Sequence, residues 1–296
     1  SSLYNKVLFK QHCIKETIMI YPYENLENFT LPALLNRATK LYSKNDFLGK
    51  VEHTPMTYEG FNAHVQTMVA LLKNNGIKKG DKIILLSENM PNWGVAYFAV
   101  TYFGAVIVPV LPDFHPADVH HIIRHSEAKA VFVSSKHINT IEELSDSKLN
   151  FVINLDELTI IDSLSKHNYG AKIVQKITAM TDNEVKEDDL AAILYTSGTT
   201  GHSKGVMLSH KNLVTNAMSA YEKVQLREDD IFLSVLPLAH TLECTVGLLI
   251  PVLYGASTQY IDKVPTPTVL LNAFTLVRPT MMISVPLIIE KIYKNK

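Results

Sequence analysis

The sequence predicts an α/β fold of layered, mainly parallel sheets covered by helices. Short segments that are almost entirely apolar recur along the chain, as in Asp81–Ser87 and Ala130–Ser134. Segments with apolar residues at helical spacing lie between them, as in Tyr58–Asn75. Strands that are apolar on both faces are typical of parallel sheets with helices on either side. Of the 296 residues, 47% are hydrophobic and 19% are charged, a composition typical of a folded chain with a sizeable core.

The individual elements follow from their periodicity and from the glycines and prolines that bound them. Gly76 ends the first helix, Pro116 begins a later one, and Pro279 stops another. Helices are predicted at Tyr58–Asn75, Pro116–Ser126, Lys211–Val224, Val269–Val277 and Leu287–Lys294. Strands are predicted at Asp81–Ser87, Ala130–Ser134, Ala191–Tyr195, Asp230–Val235 and Thr280–Ser284, with weaker candidates at Phe151–Leu155 and Lys172–Val174.

One uncharged stretch, Trp93–Leu111, has two interpretations. Its 19 residues are long enough for a transmembrane helix. Gly104 in mid-span, Pro109 and the lack of flanking basic residues favour a buried helix that ends at Gly104, followed by a buried β-branched strand. We therefore predict that this stretch belongs to the core.

Charge and cysteine content exclude several classes of function. The formal net charge is -1, from 28 basic and 29 acidic side chains, so no long-range field attracts nucleic acid or anionic lipid. The two cysteines, Cys13 and Cys244, form neither a disulfide framework nor a CxxC metal pair. The first residues contain no signal-peptide hydrophobic region. We expect a cytoplasmic protein, with membrane association left open and no nucleic-acid partner.

The segment Tyr195–Gly205 carries the chemistry. It follows the apolar strand Ala191–Tyr195, and its residues 196–205 contain five hydroxyls, three glycines and one lysine. Glycines let backbone N–H groups approach an anion, hydroxyls donate hydrogen bonds or bind Mg²⁺, and a lysine supplies positive charge to phosphate. The spacing fits neither the Walker pattern nor the Rossmann pattern. By composition alone, a surface loop without function is the alternative.

The segment YTSGTTGHSKGV resembles the phosphate-binding signature of the adenylate-forming superfamily, which includes acyl-CoA synthetases, adenylation domains and firefly-type luciferases. Ser203 departs from the usual proline. Met56–Phe61, Gly76–Trp93 and Ser284–Tyr293 are also similar to that superfamily. Leu236–Glu243 is most like the LPLAHxxE form of long-chain fatty acyl-CoA synthetases.

The resemblance implies ATP-dependent, AMP-forming activation of a fatty acid and its transfer to coenzyme A. It implies that the β- and γ-phosphates of ATP are bound by the loop residues Thr196, Ser197, Gly198, Thr199, Thr200, Gly201 and Lys204, with Thr196 as a Mg²⁺ ligand. His240 matches the position beside the acyl carboxylate and is the candidate catalytic residue. Glu243 is assigned with it to the acyl pocket, with a solvated or helix-starting carboxylate as the alternative.

Three histidines on one predicted helix, His120, His121 and His125, suggest a metal site, because an i,i+4 pair can bind zinc. No HExxH motif and no third carboxylate accompany them, and the helix matches a packing helix of the superfamily. We favour a structural role for these histidines.

The predicted organisation is a first α/β subdomain at 57–215, carrying the phosphate loop, and a second one formed by 1–56 and 216–296. The α/β pattern stops at Lys296 before the superfamily's later signatures and its small C-terminal domain, so we expect an incomplete site that is not competent alone. The predicted partners are a fatty acid, ATP and coenzyme A, and homodimerisation is left open. Activation of another carboxylate (medium-chain, aryl or amino acid) and a noncatalytic nucleotide-binding module are the alternatives.

Overall fold

The computed structural model describes residues 26–144, 148–161, 164, 184–196, 204–219, 226–286 and 288–290. Its helices are α1 Leu31–Tyr42, α2 Tyr58–Asn74, α3 Pro91–Phe103, α4 Pro116–Ser126, α5 Ile138–Glu142, α6 His210–Ser219, α7 Thr241–Cys244, α8 Ile250–Tyr254 and α9 Pro267–Val277. Its strands are β1 Asp46–Lys50, β2 Met56–Thr57, β3 Lys82–Leu86, β4 Val106–Val110, β5 Ala130–Val133, β6 Phe151–Asn154, β7 Thr159–Ile160, β8 Leu190–Thr196, β9 Lys204–Ser209, β10 Ile231–Ser234, β11 Ser257–Tyr260 and β12 Met281–Ile283.

The strands form two sheets. One has seven strands in the order β7-β6-β5-β3-β4-β8-β9, and its inner pairs are all parallel, with antiparallel strands at both edges. The other has five strands in the order β12-β10-β11-β1-β2, with only β2 antiparallel. The predicted α/β class with mainly parallel sheets is confirmed. The division into subdomains stays a prediction.

Both faces of the seven-stranded sheet are buried. Ile83 and Leu85 belong to one core cluster, whereas Ile84 and Leu86 belong to another, because side chains alternate along a strand. The first cluster also contains side chains of the five-stranded sheet, including Phe47 of β1. This arrangement explains why the strands read as uniformly apolar in sequence.

Helix α3 lies in the core between the two sheets. It begins at Pro91 and ends before Gly104, which has a φ of 86° in the left-handed region. Ten of its 13 residues are buried, and its side chains share one core cluster with both sheets. The buried-core interpretation of this stretch is therefore correct. None of the helices in the described part of the chain has the length and the apolar run that a membrane span needs.

Several predicted and observed elements differ. Helix α1 and strands β1 and β11 were not predicted from the sequence, although β11 lies at the centre of the five-stranded sheet. The predicted strand Lys172–Val174 lies outside the described residues, as does most of the predicted helix Leu287–Lys294. Helix α6 begins at His210 and is described as far as Ser219.

His210 is a fully buried residue that joins the start of α6 to the start of α1. Its Nδ1 accepts a hydrogen bond from the Leu31 N–H at 3.2 Å. Burial lowers the pKa of His210 to about 4, against a raising effect of Asp189, and Lys79 lowers it further. Lys79 and Asp189 form an ion pair of 2.7 Å beside it.

We expect the stability of the chain to fall in acid because of His210. The unfolded chain binds a proton at this side chain near pH 6.5 and the folded chain only near pH 4, so protonation favours unfolding between these values. A pKa difference of this size corresponds to about 3 kcal/mol. Urea unfolding at pH 4 to 7 should show this loss relative to His210→Asn. His64→Asn, at an exposed site of α2, controls for removal of a histidine, and parallel curves for the chain and His210→Asn would contradict the prediction.

Candidate active site

The predicted phosphate loop connects two strands of a hairpin. β8 and β9 pair in antiparallel fashion, and Thr196 opposite Lys204 is the pair next to the loop. Both residues are exposed, so a hydroxyl and an ammonium group flank the loop at the carboxyl end of β8. The other predicted phosphate ligands, Ser197, Gly198, Thr199, Thr200 and Gly201, lie outside the described residues.

The part of the hairpin next to the loop is held in place by close packing. Gly205 pairs with Tyr195, and a Cβ at position 205 would lie only 2.9 Å from Cγ2 of Ile193. The Tyr195 ring is buried, and its hydroxyl is 2.7 Å from Nδ1 of His125 on α4. The final glycine of the motif therefore serves the contact between the two strands, and α4 anchors the strand that leads into the loop.

His240 lies at the start of α7, after the carboxyl end of β10. Its Nδ1 accepts a hydrogen bond from the Leu242 N–H at 3.3 Å, and its carbonyl accepts from the Cys244 N–H at 3.0 Å. Because Nδ1 is the acceptor, the neutral ring carries its proton on Nε2. The side chain is exposed, so an Nε2–H donor is available to a ligand at this edge of the sheet.

Glu243 is buried, with 2% of its surface exposed, so its interpretation as a solvated carboxylate was wrong. It belongs to the first turn of α7. Burial raises the pKa of Glu243 to about 7, although a hydrogen bond with Ser234 lowers it. Its carboxyl group packs against Gly247, where a Cβ would overlap Oε1. Its assignment to the acyl pocket stays a prediction.

The strand that leads into the predicted phosphate loop and the segment around His240 line one apolar crevice. Leu194, two residues before Thr196, lines it from β8, and Ala239 and Thr241 line it from either side of His240. Tyr97 of α3 and Cys244 of α7 also line it. Burial raises the pKa of the Cys244 thiol to about 12, so at neutral pH this side chain is a small, uncharged lining residue.

Helix α6, which follows β9, also contacts the segment after α7. Asn216 Nδ2 donates to Thr245 Oγ1 at 3.2 Å, and Thr245 begins a π-helical turn, Thr245–Leu249. The loop hairpin and the segment around His240 therefore meet in two ways: both line the crevice, and α6 connects them through Asn216 and Thr245.

The sequence matches a known protein family over most of its length. The sequence model of the AMP-binding enzyme family matches residues 36–296. The chain belongs to this family. The match includes both the hairpin that bears the loop and the segment that bears His240.

The names of this chain's individual relatives give different substrates. The chain is 29% identical over 248 residues to a 4-coumarate–CoA ligase of Humulus lupulus, covering 82% of this chain and 43% of the relative. It is 28% identical over 284 residues to a peroxisomal long-chain acyl-CoA synthetase of Arabidopsis thaliana, covering 86% of this chain and 39% of the relative. The chain thus spans about two-fifths of the length of both relatives.

The fold has solved counterparts. A fatty acyl-adenylate ligase from L. pneumophila, solved with acyl adenylate and pyrophosphate, superposes with a TM-score of 0.73 at 22% identity. The superposition covers 88% of this chain and 44% of that one. At this identity the likeness supports the fold alone.

The histidines of the predicted cluster contact different partners. His120 Nε2 lies 2.6 Å from the Thr140 carbonyl, whereas His125 contacts Tyr195. The rings of His121 and His125 are 5.6 Å apart. Within the described ranges no group of three potential metal ligands is present.

One residue beside the site was missed by the sequence analysis. Asn89 follows β3 and bonds through its side chain to the segment that leads to His240. The available signal was a short polar side chain three residues after a buried strand, at the edge where ligands bind in open α/β sheets.

Proposed function

We propose that this chain forms the phosphate-binding and acyl-binding parts of an AMP-forming fatty acid–CoA ligase. In the proposed reaction, a carboxylate oxygen of the acid attacks the α-phosphorus of ATP, and pyrophosphate leaves. The sulfur of coenzyme A, having lost its proton, then attacks the acyl carbon, and AMP leaves as acyl-CoA forms. The observation that carries the proposal is that β8, the strand that leads into the loop, and the segment around His240 line the same small apolar crevice.

The donor set at the hairpin fits a triphosphate. Thr196 and Lys204 are register partners and both are exposed, so the ammonium group can neutralise phosphate charge while the hydroxyl donates a hydrogen bond. Ser197, Gly198, Thr199, Thr200 and Gly201 would add hydroxyl and backbone donors. Mg²⁺, when bound, would offset phosphate charge, and Thr196 is the hydroxyl proposed to hold it. Chemistry of this kind depends mainly on positioning and charge stabilisation.

His240 is the proposed contact to the acyl carboxylate. Its Nε2–H can donate to one carboxylate oxygen and leave the other free to attack phosphorus. The hydrogen bond at Nδ1 keeps the ring oriented while it does so. The crevice has a volume of only about 10 Å³, enough for one water-sized group, so it would have to widen beside Tyr97, Leu194 and Cys244 to admit an acyl chain.

An aryl acid is the second candidate substrate. Relatives that activate 4-coumarate and relatives that activate long-chain acids match this chain at nearly the same identity, 29% and 28%. The LPLAHTLE segment supports the fatty acid, and the aromatic wall at Tyr97 suits either.

A substrate panel distinguishes these candidates. The complete protein that contains this chain should exchange labelled pyrophosphate into ATP when palmitate is present. Octanoate, 4-coumarate and an amino acid are tested as alternative substrates, each in a separate reaction. Exchange with 4-coumarate alone would replace the fatty acid by an aryl acid, and exchange with none of the acids would reject adenylation.

A further inference from the structure

Asn89 forms three hydrogen bonds that connect the two sheets at their carboxyl edges. Its Nδ2 donates to the Leu236 carbonyl at 2.7 Å and to Ser234 Oγ at 3.1 Å. Its Oδ1 accepts from the Leu238 N–H at 2.7 Å. Asn89 follows β3 of the seven-stranded sheet, whereas all three partners lie at or after the end of β10 in the five-stranded sheet.

These bonds determine the path of the chain into His240. Leu236 and Leu238 flank Pro237, whose carbonyl accepts from the His240 N–H at 2.9 Å. The turn that Asn89 holds is thus the turn that begins α7. An asparagine amide suits this position because it donates and accepts at the same time.

The segment around Asn89 is itself anchored. The preceding residue, Glu88, accepts from Ser134 Oγ at 2.6 Å and pairs with Lys136 at 3.0 Å, and both partners lie just after β5. On the other side, Pro91 begins the buried helix α3. Asn89 therefore lies on a segment that is anchored to the sheet bearing the loop hairpin.

We propose that Asn89 is a positioning residue that sets the place of His240 relative to the phosphate loop. This inference rests on the proposed function, because the separation that it controls is the one between the acyl carboxylate and the α-phosphate. Misplacement of a reacting group by about 1 Å can lower a rate about 100-fold. We expect Asn89→Ala to lower the kcat of pyrophosphate exchange 10- to 100-fold by this mechanism, and to change KM for ATP less than threefold.

Asn92 provides a matched control. It lies three residues further on, and its Nδ2 donates to the carbonyls of Leu155 at 2.8 Å and Asp156 at 3.1 Å, away from His240. Asn92→Ala removes a comparable set of side chain to backbone bonds. Equal losses of kcat in Asn89→Ala and Asn92→Ala, at equal unfolding midpoints, would overturn the proposal.

A second measurement does not depend on activity. Amide hydrogen exchange of this chain, followed by mass spectrometry, should show faster exchange across residues 236–244 in Asn89→Ala than in Asn92→Ala. Unchanged exchange in that segment would overturn the positioning role whether or not the protein forms adenylates. If the unsubstituted protein shows no ATP–pyrophosphate exchange, the proposed function is rejected, and this result is separate from the hydrogen-exchange result.

Discussion

Replacing Lys204 with alanine is expected to lower the rate of ATP–pyrophosphate exchange about 100-fold, because removal of one preorganised charge or donor at a transition state costs this much. Lys204 lies opposite Thr196 in the pair next to the loop, and its side chain is exposed and can contact a ligand bound there. In the proposed reaction its charge would compensate the negative charge that develops as pyrophosphate leaves. Lys204→Arg should retain more activity than Lys204→Ala, since it keeps the charge but changes its geometry.

Lys211→Ala is the control for this prediction. Lys211 is the second residue of α6, the helix that follows β9, and its Nζ pairs with Glu187 at 3.3 Å, away from the end of the hairpin that carries the loop. Its substitution removes one positive charge from the same region and should leave exchange within about threefold, since a surface ion pair contributes little. Comparable losses in both variants would reject a phosphate-binding role for Lys204 and would leave only a general effect of charge.

Replacing Gly255 with alanine is expected to destabilise the chain by about 4 kcal/mol, as the sum of left-handed strain and overpacking. Gly255 ends α8 with a φ of 78°. A Cβ at this position would lie 2.5 Å from Cγ and Cδ1 of Tyr42, and the Tyr42 ring is buried. The turn is also held by Tyr58, whose hydroxyl oxygen lies 2.8 Å from the Pro251 carbonyl and 2.7 Å from the Ala256 carbonyl, so that its single proton is shared between these two acceptors.

Gly76 separates the two contributions. Its φ is 79°, nearly the same as that of Gly255, but a Cβ there would have no atom within 4 Å. Gly76→Ala should therefore cost only the conformational part, about 1 kcal/mol. Urea unfolding of the two variants measures the difference directly. Equal losses would show that the Tyr42 ring moves aside and that overpacking contributes nothing.

The most regular elements were predicted from sequence because a local pattern specifies them. Strands β3 and β5 are short apolar runs, and α2 has apolar residues at helical spacing before Gly76. Strand β11 has no such pattern. Its sequence, Ser257–Tyr260, is mostly polar, yet all four residues are buried between β10 and β1. Its pairing with β1 joins residues about 200 positions apart, which no local window contains.

The candidate site divides in the same way. The chemical character of the loop is readable in sequence because glycine, hydroxyl and lysine side chains are required together at a triphosphate. The burial of Glu243 was not readable, because it depends on Ser234 at the end of another element and on the space left by Gly247. Asn89 was missed for the same reason, since its partners lie about 150 residues away.

The amino-acid sequence by itself determined the fold class, the family and the residue types at the loop from Thr196 to Lys204. These depend on local periodicity and on short motifs. Only the tertiary structure decided that β8 and the His240 segment share one crevice, and that Asn89 joins the edges of the two sheets. The reason is physical: a hydrogen bond or a packed wall depends on distance in space, and the order of residues along the chain does not reveal which distant segments the core will bring together.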